Sequence, residues 1–428
     1  MRIVWTLLLS VGLTAAQETP QAFVGGRLIP VVGDEIPAGT VVIQGGKIIA
    51  VGADVEIPAG ADRHDVSGQV VMPGLVDTHS HVGSVEGADA SAPIQPEVRT
   101  IDSIDVRGAG FQKAQAGGVT TANIMPGSGH LLSGQTTYVK YRDGKTIDDI
   151  LLYNDDGSIA GGMKMANGTN PRKKPPFPGT RAKSAALIRE RFVKAVEYRD
   201  KIARADGDET EMPPRDLALE ALVEVLEGKR LVHHHSHRHD DIMSVLRLAQ
   251  EFGFRVVLQH VSEARHVAEE IAAAGVGSSV IIVDSPGGKL EAKDNAFDNG
   301  AALERAGALV AFHTDDGVTD SRLFLRQAGL AVRAGMSRDG ALYAMTMAGA
   351  TMMDLDDRIG SLEVGKDADL IVLDGDPLSI YSHVEQTWID GVKVFDRSDP
   401  DDRLYAVGGY GASHDQAATL AHLEEEGH

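Results

Sequence analysis

Two histidines, His79 and His81, stand two residues apart where the apolar segment 71–77 ends. On a β-strand, side chains two residues apart point to the same face, so both imidazoles would point to one place. Neutral imidazoles that converge at the end of a buried strand are common ligands of transition metals. This spacing predicts a metal site, although a His-x-His pair by itself is also frequent by chance.

More histidines and one aspartate follow apolar segments farther along the chain. The segment 231–241 carries five histidines within seven residues, 255–260 ends in His260, and 308–317 contains His313 and Asp315. A histidine at a strand end is often a buried residue with a structural partner, and a histidine run can be a metal-storage tract. The separation of these residues along the chain favours a single centre built by several strand ends.

The segment 71–81 closely resembles the signature of the metal-dependent amidohydrolase superfamily, whose first barrel strand ends in His-x-His. The resemblance extends from about Val24 to about Asp396 and is closest to the imidazolonepropionase-like and Xaa-Pro-dipeptidase-like branch. It implies an enzyme with two divalent metal ions, for which zinc is the expected metal. The positions that match the metal ligands are His79, His81, Lys164, His235, His260 and Asp315.

Two of these positions have alternatives. Related sequences read His-x-His or His-x-Asn and then Arg at the fifth strand, which aligns His235 with the ligand and leaves His237 as a competitor on the same strand face. In part of the superfamily the fourth strand supplies a lysine carbamate that bridges two cations, and Lys164 is the candidate. An ordinary ion-pair lysine is the alternative, and the glutamate that relatives carry shortly afterwards is replaced by Thr169.

The resemblance also implies roles in catalysis. Asp315 matches the residue that binds metal, takes the proton of the attacking water as general base and passes it to the leaving nitrogen. Arg238 is the candidate for binding a substrate carboxylate, because its planar guanidinium suits bidentate pairing. His130 and Tyr138, in a Gly-rich segment after the second strand, and His237 are candidate pocket residues.

Length and composition are those of a globular protein. The chain has 428 residues, of which 43% are hydrophobic and 24% charged, and its formal net charge is -21. This negative charge argues against a nucleic acid or an anionic membrane surface as partner. The sequence has no cysteine, so the fold needs no disulfide and thiolate is excluded from the metal ligands.

The first sixteen residues have one positive charge, an apolar run and then small residues. This order is typical of a secretory signal peptide with cleavage after Ala16, which predicts a periplasmic or secreted protein. A membrane anchor is the alternative, although the run is short for a bilayer.

Strand and helix candidates alternate from 71 to 355, with helices expected at 181–203, 216–226 and 240–252 and a late strand at 280–283. Eight such strands predict a (β/α)₈ TIM barrel, whose chemistry collects at the carboxyl ends of the strands. Segments 17–70 and 356–397 are rich in strands, and the resemblance implies that they form one small β-sandwich domain. Residues 398–428 are acidic and rich in glycine, which predicts a flexible tail.

The predicted function is hydrolysis of a carbon–nitrogen amide bond, in a peptide or an N-acyl amino acid, by metal-activated water. A cyclic amidohydrolase resembling imidazolonepropionase and a deaminase are alternatives, although the His-x-x-Glu pair of related deaminases is missing after the fifth strand. A secreted metal-binding protein without catalysis is an alternative of another class, which the isolated Asp315 disfavours. The expected partner is a small amide or short peptide, and a homo-oligomer is left open.

Overall fold

The computed structural model describes residues 19–83, 89–282 and 289–408, and within them strands and helices alternate over most of the chain. The strands are β1 (Gln21–Leu28), β2 (Ile36–Gln44), β3 (Lys47–Gly52), β4 (Asp62–Asp65), β5 (Val70–Pro73), β6 (Leu75–Ser80), β7 (Val119–Ile124), β8 (Leu132–Gln135), β9 (Thr137–Lys140), β10 (Met163–Ala166), β11 (Val232–Ser236), β12 (Val256–His260), β13 (Gly277–Val280), β14 (Val310–Phe312), β15 (Leu370–Leu373), β16 (Val384–Ile389) and β17 (Val392–Asp396). The helices are α1 (Gly110–Ala116), α2 (Arg181–Ala205), α3 (Leu217–Leu226), α4 (His239–Phe252), α5 (Ala268–Ala273), α6 (Asn299–Arg305), α7 (Leu325–Arg333), α8 (Arg338–Met345), α9 (Met347–Thr351) and α10 (Pro400–Val407).

The two ends of the described chain meet in one eight-stranded sheet, in the order β17-β16-β15-β5-β1-β2-β3, with β4 paired to β1. We call it the terminal sheet. The β2–β3 hairpin turns at Gly45 and Gly46, both with positive φ, which is the conformation that a two-residue hairpin loop favours and that glycine adopts without strain. Phe23, Val41 and Trp388 belong to its apolar core. The two terminal segments are therefore paired.

The remaining strands form a six-stranded sheet, β14-β13-β12-β11-β10-β8, and a three-stranded sheet, β6-β7-β9. β8 and β9 follow one another with only Thr136 between them, so they link the two sheets. At the other end β6 and β14 lie side by side, where Asp315 N donates to His79 O over 2.9 Å. Within the described residues, no strand ladder joins β6 to β14. The fold of this region is mixed α/β, with a parallel β10–β14 sheet.

Helix α4 shows how the sequence positions the segment after the histidine run. Asp240 and Asp241 lie in its first turn, where negative charge is favoured by the helix dipole. Ile242 and Val245 are buried on one face of the helix, and Gly253 ends it in the left-handed conformation. The helix therefore begins directly after β11 and fixes the direction in which that strand ends.

Two predicted segments differ from the structure. The strand expected at 280–283 lies earlier, at β13, because Ser278 and Ser279 are buried there as strand residues despite their polarity. Residues 398–408, expected to begin a flexible tail, instead contain α10, which Asp399 caps and Pro400 opens. The rest of that tail and the signal peptide predicted for 1–16 lie outside the described residues.

Among the helices of the described ranges, none combines the length and the apolarity needed to cross a membrane.

A buried lysine attaches the terminal sheet to the strands that carry the histidines. The side chain of Lys140, in β9, is fully buried, and its ammonium donates to Asp367 over 2.7 Å, to Asp369 over 3.2 Å and to Asp390. Burial by itself lowers the pKa of Lys140, but the three carboxylates outweigh it and hold the pKa above its ordinary value. Arg142 adds a second cation to Asp390 over 2.5 Å.

We expect Lys140→Met to lower the free energy of unfolding by about 3–5 kcal/mol, because it leaves buried carboxylates without their main partner. Urea denaturation followed by circular dichroism would measure the loss. Lys47→Met is the matched control, since Lys47 also pairs with Asp367 but its side chain is 49% exposed. This control should cost less than about 1 kcal/mol. Equal effects of the two variants would contradict the importance of the buried network.

Candidate metal centre

The carboxyl ends of strands from both sheets of the α/β region bring together the side chains predicted as ligands. β6 leads into the first pair, β10 carries a lysine, β11 and β12 carry histidines, and β14 leads into the aspartate. The residues that meet there are His79, His81, Lys164, His235, His237, His260, His313 and Asp315.

His79, His81 and Asp315 form the first group, with one ligand atom of each lying within 4.8 Å of the others. Asp315 Oδ1 is 2.9 Å from His81 Nε2 and 3.4 Å from His79 Nε2. His81 Nδ1 lies 2.8 Å from the Met125 carbonyl oxygen, to which only an N–H can donate. This bond places the proton on Nδ1 and leaves Nε2 as the ligand atom that faces Asp315.

His235, His237 and His260 form the second group. The imidazole centroids of His235 and His260 are 4.5 Å apart, and those of His235 and His237 are 4.7 Å apart. His260 also joins the first group, since its ring centroid lies 4.8 Å from that of His79. His235 and His237, which compete for one role in the sequence, are thus both present at the centre.

Lys164 lies beside the first group and is completely buried. Its Nζ is 3.0 Å from His79 Nε2 and 3.0 Å from Met125 Sδ. These direct contacts are with an imidazole nitrogen and a thioether, so the geometry disfavours an ordinary ion-pair role. Burial lowers the pKa of Lys164 to about 7, which leaves a large fraction as the neutral amine near neutral pH.

The buried imidazoles are in the form that binds metal. Burial lowers the pKa of His79, His235 and His260 well below the ordinary value, and that of His237 and His313 to about 3. Within the described residues, His79 Nδ1, His235 Nδ1 and His237 Nε2 are buried without a hydrogen-bond partner. Buried polar atoms normally have partners. Imidazole nitrogens with a carboxylate therefore fit a divalent transition metal such as zinc.

A solved amidohydrolase from Thermotoga maritima MSB8 is 34% identical to this chain, and the two structures superpose with a TM-score of 0.82. The match covers 88% of this chain and 100% of the Thermotoga chain. The chain belongs to the amidohydrolase superfamily. The model described as "Amidohydrolase family" matches residues 183–395. These matches confirm the resemblance carried by the His-x-His segment.

Membership of this superfamily, together with relatives named as hydrolases, identifies this amidohydrolase as an enzyme that acts on carbon–nitrogen bonds. Amidohydrolase tasK of Hapsidospora irregularis is 28% identical over 84% of this chain, which spans 40% of that longer relative. Imidazolonepropionase of Sphingopyxis alaskensis is 26% identical over 84% of this chain and 93% of its own length. The superfamily is typically metal-dependent.

Asp77 is a functional residue that the sequence reasoning did not single out. Its Oδ1 accepts from His79 N over 3.2 Å and from Thr314 N over 3.0 Å, and its Oδ2 accepts from Thr314 Oγ1 over 2.5 Å. Burial raises its pKa to about 7. An aspartate inside an apolar strand was the available signal, because a buried carboxylate requires partners. Asp77 thus fixes the first pair of histidines against the segment that carries Asp315.

His313, two residues before Asp315, also lies at the centre. Its Nδ1 lies 2.7 Å from Ser279 Oγ and its Nε2 3.0 Å from His260 Nδ1. The ring nitrogens of His313, His260 and His79 are close enough together to hold an ion. His313 is therefore a candidate metal ligand as well as a residue that packs against the centre.

Glu291 was missed by the sequence reasoning. It is buried, and its carboxylate lies within 4.8 Å of ligand atoms of His235 and His237. It follows residues 283–288, which the structure does not describe, and it belongs to a single 3₁₀ turn at 290–292. No spacing pattern marks such a residue, because only the tertiary fold brings this turn to the histidines.

The structure does not bring Arg238 or Tyr138 to the ligands. The Arg238 side chain is 40% exposed and donates twice to Asp240, over 2.9 and 2.8 Å. The Asp240 carboxylate thus forms with the Arg238 guanidinium the bidentate pair that was expected from a substrate carboxylate. Tyr138 is buried in an apolar cluster, and its hydroxyl lies 2.8 Å from His233 Nε2. Both residues have protein partners in the structure, and a pocket role for either one stays a prediction.

His130 lies among the loops that border the centre. Its ring packs at 5.0 Å from that of Phe177, in the Pro- and Gly-rich loop 167–179. Asn170 of the same loop donates to Ser128 Oγ over 2.8 Å, which joins this loop to the segment that contains His130. His130 is 2% exposed, so it contributes to the packing of the rim more than to an open pocket surface.

We expect Asp77→Asn to weaken zinc binding by about 10–100-fold, because the amide nitrogen cannot accept the Thr314 hydrogen bond that helps to orient the ligands. Chelator competition would measure the dissociation constant. Asp316→Asn is the control, since Asp316 accepts from Ser321 Oγ and not from the strand that carries His79. Unchanged zinc affinity in the Asp77 variant would refute this positioning role.

Proposed function

We propose that this protein is a secreted metal-dependent amidohydrolase that hydrolyses the amide bond of a peptide or an N-acyl amino acid with metal-activated water. One observation carries the proposal: the Asp315 carboxylate lies 2.9 Å from His81 Nε2 and 3.4 Å from His79 Nε2, beside a second histidine group. A metal-storage function does not require an isolated carboxylate from a distant strand at this position. Export is proposed from the pattern of residues 1–16 alone.

The proposed architecture is a closed (β/α)₈ barrel over about 71–355, with a small domain from 17–70 and 356–397. The strand order and the β8–β9 link support this closure, as does the backbone bond between Asp315 and His79 at the junction of β6 and β14. In such barrels the carboxyl ends of the strands form the active site. The ligand residues lie at those ends.

The ligand set would hold two divalent ions, for which we propose zinc. The residues that would hold them are His79, His81, His235, His260, Asp315 and a carbamate of Lys164. Bound ions of this kind act as Lewis acids and lower the pKa of water from about 15.7 towards 7. Lys164 suits carbamate formation, because its neutral amine attacks the carbon of carbon dioxide and releases one proton.

Asp315 is the proposed proton carrier. Its side chain is 21% exposed, whereas His79 and His260 are buried, so Asp315 faces both the ligands and the entering substrate. Burial raises the pKa of Asp315, but its contact with the His81 imidazole and the nearby Lys164 outweigh burial and hold the pKa below its ordinary value. The ionised carboxylate accepts the proton of the attacking water and then donates it to the leaving nitrogen.

A cyclic amide is the second candidate substrate. The imidazolonepropionase relative supports it, because that relative is covered over 93% of its length. We rank open-chain amides first, since a secreted enzyme meets peptides and amide-linked compounds outside the cell. Curated relatives named as deaminases match short segments, such as 60 residues of an adenine deaminase, and a solved adenosine deaminase that covers 96% of this chain is only 19% identical to it.

The first experiment is amine release from a library of dipeptides and N-acyl amino acids, with the protein loaded with zinc in the presence of bicarbonate. Release from any member would support open-chain amide hydrolysis. If metal is bound and no member is hydrolysed, the proposal fails for open-chain amides. The cyclic amides would then be assayed next, by ring opening.

Asp315→Asn should reduce turnover by about 10²–10⁴-fold, because the amide cannot accept and return the proton. The asparagine oxygen can still bind metal, so most of the zinc should remain, as measured by elemental analysis. Asp320→Asn is the control, since Asp320 lies nearby in sequence but pairs with Arg322 over 2.9 Å. Unchanged turnover in the Asp315 variant would exclude the assigned role.

Lys164→Met should lower the zinc content from about two ions per chain to about one and should remove any dependence of metal loading on bicarbonate. The physical reason is that a thioether chain cannot form the anionic carbamate ligand. Elemental analysis after loading with and without bicarbonate would measure both effects. Loss of all zinc would show instead that Lys164 is required for the whole centre to fold.

A further inference from the structure

Lys289 is a cation beside the metal centre that the mechanism above does not use. Its Nζ lies 3.4 Å from His235 Nε2, donates to Asn170 Oδ1 over 2.8 Å and is 3.4 Å from Glu291 Oε1. The side chain is 31% exposed. Lys289 therefore contacts a predicted metal ligand and is also accessible to solvent.

The exposed side chains show where a substrate can enter. Most ligand residues are buried, but the side chains of His81 and Asp315 are 26% and 21% exposed. Lys289 shares this partial exposure, whereas His235 beside it is buried. A molecule that approaches Asp315 from solvent therefore meets the ammonium of Lys289 near the reacting groups.

Glu291 is the buried carboxylate that pairs with Lys289. The Glu291 carboxylate also accepts from Thr169 N over 2.7 Å and lies 3.5 Å from the Arg181 guanidinium. Its side chain is 2% exposed, so it presents no negative charge to the entrance. Arg181 also pairs with the buried Asp241 over 2.8 Å, so the four charges balance, but the two cations are 31% and 29% exposed whereas both carboxylates are buried. The side of this group that faces solvent is therefore positive.

The loop next to Lys289 adds to this charge. Residues 172–174 read Arg-Lys-Lys, within a chain whose formal net charge is -21. They follow Asn170, which accepts the hydrogen bond from Lys289. Lys173 lies with its Nζ 4.9 Å from the ring centre of Phe177, and Lys174 is exposed. A local cluster of cations in an acidic protein attracts anions towards the site that it borders.

We propose that Lys289, helped by the basic loop 172–174, selects substrates that carry a carboxylate close to the scissile amide. This inference rests on the proposed function and names its substrate class: N-acyl amino acids and peptides with a free terminal carboxylate. An ammonium and a carboxylate form a short, charge-assisted hydrogen bond, which partial exclusion of water strengthens. Lys289 thus takes the role that the sequence had suggested for Arg238, whose guanidinium is occupied by Asp240.

The test compares each library member that is hydrolysed with its carboxamide, which lacks only the negative charge. The unmodified protein should show a value of kcat/KM at least about 10-fold higher for the free acid. Lys289→Met should lower kcat/KM for the acid by about 10–100-fold, mainly through KM, and should bring the ratio of acid to carboxamide close to one. Lys289→Arg should restore part of the preference, because it retains the positive charge.

Lys293→Met is the matched control, because Lys293 is an exposed lysine four residues away. It should leave the preference for the acid intact. Equal hydrolysis of acids and carboxamides by the unmodified protein would overturn the proposal while amide hydrolysis itself stands. A preference that survives in Lys289→Met would overturn it as well, since the carboxylate would then be bound elsewhere.

A binding measurement separates this inference from the proposed function. If no library member is hydrolysed, calorimetry with the zinc-loaded protein would compare N-acetylalanine with N-acetylalaninamide. Tighter binding of the acid, reduced about 10-fold in Lys289→Met but not in Lys293→Met, would support the carboxylate site without any turnover. Equal binding of the acid by the unmodified protein and by Lys289→Met would reject it.

Discussion

The carboxylate of Asp77 lies where β6 and β14 meet, and it accepts hydrogen bonds from the backbone of both segments. His79 follows on one segment and Asp315 on the other, so the distance between these two ligands depends on this contact. A carboxylate at this depth loses its hydration and is retained because three donor groups replace the water. The rest of the centre is assembled around the geometry that these bonds establish.

Burial sets the chemistry of the remaining groups. Taking imidazoles out of water disfavours their charged form, which keeps His235 and His260 neutral and able to bind a cation. The same effect brings the pKa of Lys164 to about 7. Burying several neutral polar side chains without hydrogen-bond partners costs free energy. A bound cation would provide the partner that these imidazole nitrogens lack.

Charge is distributed differently at the edge of the site and at the base of the fold. At the entrance, Asp315 and Lys289 are partly exposed, so they are available to a substrate. At the base, Lys140 is buried among three aspartates and attaches the terminal sheet to β9. The first arrangement serves recognition, because its groups can exchange water for a ligand. The second serves stability, because its partners are fixed and excluded from water.

Local patterns were sufficient for much of the fold. The helices expected at 181–203 and 240–252 lie close to α2 and α4, and the segment 17–70, expected to be rich in strands, contains β1 to β4. These features depend on residues near one another in the chain. The prediction missed the position of β13 because its serines are polar. Ser279 is buried there next to His313, with which it shares a hydrogen bond that forms only in the folded chain.

For the site, the sequence by itself determined the ligand types and their strand positions. His79 and His81 share a face because side chains alternate along a strand. Tertiary structure decided the rest: Asp240 occupies Arg238, and a 3₁₀ turn places Glu291 beside the histidines. Lys289, just before that turn, reaches His235 from 54 residues away. Such partners follow from how distant loops pack, and no local periodicity encodes that packing.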